Sequence, residues 1–181
     1  MKLFEILDKS YAENIVWRTS SAKRLNGFFN IDELKFHITV EFETVDDVVE
    51  YYQIANPEFA ALLKDKAIVR VDYTQVLDGE FRQDNTGNAA EVAIPVMSTI
   101  VVEIAKKLQR EKIDLLYFAA KEFADSKGQR QRIYPKIGKM MAIRLNKRCV
   151  VHKQEGQVIT MLLSGFDQDD YLKFLELLND N

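Results

Sequence analysis

A ladder of apolar side chains runs through residues 92–108. Val92, Val96, Ile100, Ile104 and Leu108 recur at every fourth position, which places them on one face of an α-helix. Directly after the ladder, "IDLLYFAA" (residues 113–120) is a short and wholly apolar run, typical of a strand in the middle of a sheet. The two segments together predict an α/β domain with a central sheet and flanking helices.

Earlier segments supply more strands. "LKFHITVEFE" (34–43) alternates apolar and polar residues, and this period of two predicts a half-buried strand. We expect "TVDD" (44–47) to turn the chain and "VVEYYQIA" (48–55) to be the hairpin partner of that strand. "KAIVRVDYTQVL" (66–77) is the next predicted strand, and "DGEFRQDNTGNAAE" (78–91) reads as a polar loop leading into the long helix.

The remaining segments complete the predicted order. Residues 2–10 and 11–25 are expected to form short helical pieces, and residues 125–146 a basic loop followed by a helix. "CVVHKQEGQVITMLLS" (149–164) predicts a hairpin that turns at Glu155-Gly156. "DQDDYLKFLELLND" (167–180) predicts an amphipathic helix that Asp167 caps. The side chains expected to face inward from that helix are Tyr171, Phe174, Leu175 and Leu178.

The length of 181 residues favours a single domain. Within it we expect a helical N-terminal region (residues 1–30), a sheet core with helices (residues 31–165), and the C-terminal amphipathic helix (residues 166–181). A mixed central sheet follows from the combination of hairpins and the helix-linked strands.

Composition narrows the classes of function. A net charge of −3 and a pI near 5.5 give no whole-protein basic field of the kind that nucleic-acid binders usually carry. Two histidines and the single Cys149 make no metal-ligand cluster. No apolar run reaches the roughly 18 residues of a membrane span, and Glu5 and Asp8 interrupt the start where a secretory signal would be apolar. We therefore expect a cytoplasmic protein that uses neither a metal nor a membrane.

From the strand at 66–77 onward, the element order resembles the Gcn5-related N-acetyltransferase fold. In that family a strand leads into a glycine-containing loop at a helix N-terminus, and a second helix carries a tyrosine. Here "TGNAAE" (86–91) stands at the loop, and "RIYPKIGK" (132–139) stands at the tyrosine segment. Residues 36–146, with "TGNA" before a long helix, also resemble a group of uncharacterised proteins of tailed bacteriophages.

The resemblance to acetyltransferases implies that acetyl-coenzyme A is the cofactor. Its pyrophosphate would meet backbone amides at the start of the long helix, where the helix dipole favours an anion. Basic side chains of the second helix would meet its phosphates. The residues implied are Thr86, Gly87, Asn88, Ala89, Ala90, Arg130 and Arg132.

Tyr134 has two interpretations. As the family's tyrosine, its hydroxyl would be the general acid that protonates the departing coenzyme A thiolate. As a structural residue, its ring would pack in the core and its hydroxyl would find water or a carbonyl. Glu41 and Glu43 are candidates for the general base by position alone.

Three functions remain open on the sequence. The resemblance implies a phage-encoded acetyltransferase-like protein that acetylates an amine in the cytoplasm of the host cell. The first alternative is a non-catalytic interaction protein, bound to a host or virion protein, that keeps the fold without the cofactor. The second is a nucleic-acid-binding accessory protein that uses the basic residues 127–148.

Overall fold

The protein is described by a computed structural model that covers residues 15–52, 56–82, 89–121, 129–154 and 157–179. The strands in these ranges are β1 (Val16–Ser21), β2 (Arg24–Ile31), β3 (Leu34–Glu43), β4 (Ile68–Leu77), β5 (Glu80–Arg82), β6 (Leu115–Lys121), β7 (Arg148–Gln154) and β8 (Gln157–Leu163). The helices are α1 (Val45–Tyr52), α2 (Pro57–Leu63), α3 (Ala89–Leu108), α4 (Gln129–Leu145) and α5 (Gln168–Asn179).

All eight strands belong to one sheet. Its order is β1-β2-β3-β4-β6-β8-β7, with the short β5 paired to β4. β4 and β6 are parallel, and the other pairs are antiparallel. Parallel neighbours need a long crossover connection, which α3 supplies between β4 and β6. The predicted α/β class with a mixed sheet is confirmed.

Each face of the sheet carries its own apolar core. In β6, Leu116 and Phe118 belong to a cluster with α3 and α4. Their neighbours Leu115 and Tyr117 belong to a second cluster with α1, α2 and α5. Because successive strand residues point to opposite faces, the sheet lies between two helical layers. We call the side of α3 and α4 the first face and the opposite side the second face.

The helical pieces predicted for residues 11–25, and the helical N-terminal region predicted to extend to residue 30, are wrong from residue 16 onward, where β1 and β2 lie. The alternation of Leu25, Gly27, Phe29 and Ile31 explains the strand, because Phe29 and Ile31 are buried in the first-face core. Asp32 adopts a φ of 52° in the turn that leads into β3. Residues 1–14, including the predicted helix at 2–10, lie outside the described residues.

The hairpin partner predicted for residues 48–55 is also wrong at residues 48–52, which belong to α1, and residues 53–55 lie outside the described residues. The Thr44 amide donates to the Asp47 carboxylate at 2.7 Å, and the Asp47 amide donates to the Thr44 hydroxyl at 3.3 Å. This reciprocal pair is a capping box in which aspartate replaces the usual glutamate. The segment predicted to be a turn is therefore the start of a helix, and its Val48 is fully buried.

Part of the predicted polar loop is a strand. The Asp78-Gly79 pair has φ values of 51° and 83°, as a two-residue hairpin turn of the primed type requires. It folds β5 back onto β4, with Val76 opposite Phe81.

The C-terminal helix agrees with its prediction. The Asp170 amide donates to the Asp167 carboxylate at 2.8 Å, so Asp167 is the cap. Phe174 and Leu178 are buried, and Tyr171 and Leu175 are partly buried against the same cluster. Leu177, which is not among the predicted inward residues, is buried as well.

Gly138 lets α4 lie very close to β8. A Cβ atom at position 138 would be 2.1 Å from the Cγ2 atom of Thr160, a residue with no exposed surface. We expect Gly138→Ala to lower the free energy of unfolding by about 1–3 kcal/mol, the usual cost of overpacking a core. Urea denaturation checks this value.

The matched test is the double variant Gly138→Ala/Thr160→Ala, in which the added methyl group takes the space of the deleted Cγ2. Its stability should exceed that of Gly138→Ala when the cost of Thr160→Ala alone is taken into account. Strictly additive costs would show that this contact does not set the distance between the helix and the sheet.

Candidate functional site

β4 and β6 part after a short parallel ladder. Its described partners are Ile68 with Leu115, Val69 with Leu116, and Arg70 with Tyr117. At its far end, the same edge of β4 pairs with β5 through residues 75–77. Residues 71–74 of β4 therefore lie between the two ladders, at the place where β6 diverges. In open α/β sheets, ligands bind in crevices at the carboxyl ends of the strands, and β4 and β6 part toward those ends.

A polar cluster occupies the last pair of that ladder. The Tyr117 hydroxyl donates a hydrogen bond to the Glu43 carboxylate. The Arg70 guanidinium lies 2.9 Å from Glu43, 2.7 Å from Glu41 and 2.9 Å from Asp72. Three carboxylates thus surround one arginine, with a tyrosine as the fourth partner of the group.

These groups occupy very different environments. Tyr117 has no exposed surface, and the side chain of Glu43 is 5% exposed, against 28% for Glu41 and 39% for Asp72. Burial raises the pKa of the Glu43 carboxyl above its ordinary value, although the Tyr117 hydrogen bond and the Arg70 charge oppose the shift. Burial disfavours the Arg70 cation, but Asp72 and Glu43 outweigh it and hold the arginine pKa above its ordinary value. The Glu43 carboxyl therefore takes up a proton at a higher pH than it would in water.

A pocket of about 520 Å³ opens beside this cluster. Its walls come from the end of β3, the start of β4, the first half of α1 and the turn between β1 and β2. Its charged lining consists of the carboxylates Glu41, Glu43, Asp47 and Glu50 and the cations Lys23 and Arg70. Because Arg70 already meets three carboxylates, the lining as a whole favours a positively charged ligand.

The residues predicted to hold the cofactor are only partly within the described ranges. Thr86, Gly87 and Asn88 lie outside them. Ala89 and Ala90 begin α3, and Arg130 and Arg132 lie in the first turn of α4, although the structure does not describe their side chains. Both helices pack on the first face. α3 leads back to the start of β6, and α4 leads back from the end of β6 to the start of β7. Both helices therefore begin at the end of the sheet toward which β4 and β6 diverge.

Tyr134 lies on α4 over the divergence itself. Its ring centroid is 6.0 Å from that of Tyr73 on β4 and 5.7 Å from that of Phe118 on β6. The residue is 6% exposed and belongs to the first-face core. The Tyr134 ring thus bridges β4 and β6 where they diverge. It therefore has a packing role, whether or not its hydroxyl also has a chemical one.

Arg70 and Tyr117 are not among the site residues predicted from the sequence. A single arginine inside the apolar run "AIVRV" is a usable signal, because a charged residue in a buried strand is almost always paired. Tyr117 gives a similar signal, because a tyrosine hydroxyl within the apolar run "IDLLYFAA" usually has a hydrogen-bond partner when it is buried. Their common partner Glu43 is a candidate base in the sequence by position alone.

In the described part of the chain, no group of three or more His, Cys, Asp or Glu side chains is arranged to hold a metal ion. None of the helices described there combines the length and the apolar character that crossing a bilayer needs.

Comparison with known proteins adds no relative: no protein-family model, no curated protein and no solved structure matches the chain.

Proposed function

We propose that the protein transfers an acetyl group from acetyl-coenzyme A to an amine. The observation that carries this proposal is the parting of the parallel strands β4 and β6 immediately beyond Arg70 and Tyr117. The nearly buried Glu43 carboxylate accepts the Tyr117 hydrogen bond there on the second face of the sheet. The thioester cofactor supplies an activated acetyl group. The start of α3 at Ala89 and the start of α4, with Arg130 and Arg132, would receive its phosphates.

Glu43 is the general base in this proposal. An amine must lose a proton before or during its attack on a carbonyl, and a carboxylate with a raised pKa accepts that proton more readily than an ordinary one. The acidic pocket beside Glu43 would hold the acceptor, because protonated amines favour carboxylate-lined sites. Tyr134 would donate its hydroxyl proton to the departing sulfur from the first face, across the gap between β4 and β6 from Glu43. The bacteriophage origin suggested by "TGNA" and residues 36–146 belongs to the same proposal.

A second candidate function is a non-catalytic interaction protein. The observation that favours it is the burial of Tyr134 between Tyr73 and Phe118, because a side chain that bridges the parting strands reduces the space for a cofactor. In this case the fold would serve a host or virion protein as a binding partner.

The decisive experiment begins with calorimetric titration of acetyl-coenzyme A into the protein. Acetyl transfer to a panel of small primary amines is then followed by release of the coenzyme A thiol. We expect Glu43→Gln to bind the cofactor normally and to lower kcat/KM by about 10²–10⁴-fold, the usual worth of a general base. The acid limb of the wild-type pH profile should lie above the ordinary carboxyl range, because burial raises the pKa of Glu43.

Asp72→Asn is the matched control. Asp72 also contacts Arg70, at 2.9 Å, but its side chain is 39% exposed and it is not among the residues that line the acidic pocket, so its loss should change kcat/KM much less. An absence of acetyl-coenzyme A binding at millimolar concentration would favour the interaction protein. Equal effects of the two variants would instead remove Glu43 from the base role.

A further inference from the structure

Two basic segments lie at the C-terminal ends of the two helices of the first face. Residues 106–112 contain Lys106, Lys107, Arg110 and Lys112, and residues 144–148 contain Arg144, Lys147 and Arg148. Glu111 is the single carboxylate in these two segments, although the net charge of the chain is −3. The two segments are therefore strongly basic in a chain that is acidic as a whole, and the helix α4 that leads into the second segment is basic as well.

The sheet brings the two segments to the same edge. Leu115 at the start of β6 and Arg148 at the start of β7 pair with Leu163 from opposite sides. Leu115 and Arg148 are therefore two strand spacings apart, which is about 10 Å. The Lys147 ammonium also donates a hydrogen bond to the Ile113 carbonyl, which ties the segments together. We call residues 106–112 and 144–148 the basic edge.

Only some of these cations are explained by local structure. Lys106, Lys107 and Arg144 lie in the last turns of α3 and α4, where a helix dipole favours positive charge. Arg110, Lys112 and Arg148 lie beyond the helix ends and are exposed. Lys106 is 2.8 Å from Glu103 yet 64% exposed, and Arg148 lies over the Tyr171 ring at 4.4 Å, so these contacts leave the cations accessible at the surface.

We infer that the basic edge binds the phosphate backbone of nucleic acid without reading its sequence. Duplex DNA presents one charge per roughly 1.7 Å of helix axis, so two short cationic segments about 10 Å apart can meet several phosphates at once. A membrane surface fits less well, because Ile143 is the single large apolar side chain exposed among the described residues 140–148, and insertion needs a broader apolar face. This inference does not depend on the proposed acetyl transfer.

Fluorescence anisotropy with labelled single- and double-stranded oligonucleotides tests the inference in the full-length protein. Affinity should fall steeply as salt rises from about 50 to 200 mM, and it should be similar for unrelated sequences. Arg110→Gln/Lys112→Gln/Arg144→Gln removes three exposed cations of the basic edge. We expect this variant to bind about 10–100-fold more weakly at low salt and to show a salt slope smaller by about 2–3.

The control variant Lys35→Gln/Lys64→Gln/Lys153→Gln removes the same charge from exposed lysines elsewhere and should bind within about twofold of wild type if the contact is local. Circular dichroism establishes that both variants are folded. Equal losses in the two variants would show that only net charge matters. No binding at low salt, or binding to anionic vesicles but not to oligonucleotides, would also overturn the inference.

Discussion

Deleting residues 167–181 is expected to lower the free energy of unfolding by roughly 5–9 kcal/mol, since each large buried side chain contributes about 1.5–3 kcal/mol. The deletion removes Phe174, Leu177 and Leu178, which are 0–7% exposed. The Phe174 ring centroid lies 5.4 Å from that of Phe59 on α2 and 5.6 Å from that of Phe166. Because small domains are stable by only about 5–15 kcal/mol, the shortened chain should be close to unfolding at room temperature.

Thermal and urea denaturation measure this effect. Phe174→Ala provides a milder version, expected to cost about 3–5 kcal/mol. Leu172→Ala is its control on the same helix, because Leu172 is 53% exposed and surface changes usually stay within about 0.5 kcal/mol. A melting temperature that does not change after the deletion would contradict the packing of α5 on the sheet.

Tyr134→Ala is expected to cost about 3–5 kcal/mol, as truncation of a large core aromatic does. The ring contacts Tyr73 and Phe118, so its loss leaves a cavity between β4, β6 and α4. Tyr134→Phe keeps the ring and removes only the hydroxyl, so its cost should not exceed about 1.5 kcal/mol, the net worth of one hydrogen bond. Urea denaturation of both variants gives the two values.

The same pair of variants separates the two roles of Tyr134. If the hydroxyl is the general acid, Tyr134→Phe lowers acetyl transfer by about 10²–10⁴-fold while the fold is retained. If the residue only packs, Tyr134→Phe leaves transfer unchanged. Ile143→Ala, at a position 66% exposed on the same helix, serves as the control. A stable Tyr134→Ala protein would contradict the packing role.

Elements with a strong hydrophobic period were predictable from the sequence. The alternation of β3, the ladder of α3 and the apolar run of β6 all correspond to elements of the structure, because burial of one face forces the spacing of the apolar side chains. The incorrect predictions concern short segments in which features typical of a strand compete with features typical of a helix. In α1, the valines and tyrosines are typical of a strand. The Thr44–Asp47 capping box and the burial of Val48 favour a helix instead.

The candidate site was less predictable, because strand register brings its members together. Glu43 and Tyr117 are 74 positions apart in the chain and hydrogen-bonded in the fold. Glu43 faces Ile68 across one ladder, and Arg70 faces Tyr117 across the next. No local pattern encodes either alignment, since both follow from the pairing of β4 with its two neighbours.

The short β4–β6 ladder also has a consequence for synthesis on the ribosome. It joins an antiparallel ribbon of β1–β5 to a second antiparallel ribbon of β6–β8, and the Ala67–Asp114 hydrogen bond beside it spans 47 residues. Contacts so distant in sequence form slowly, and N-terminal units fold first as a chain emerges. The edge of β4 that will receive β6 is therefore exposed on the nascent protein, as a template for pairing with other chains, until the second ribbon has been made.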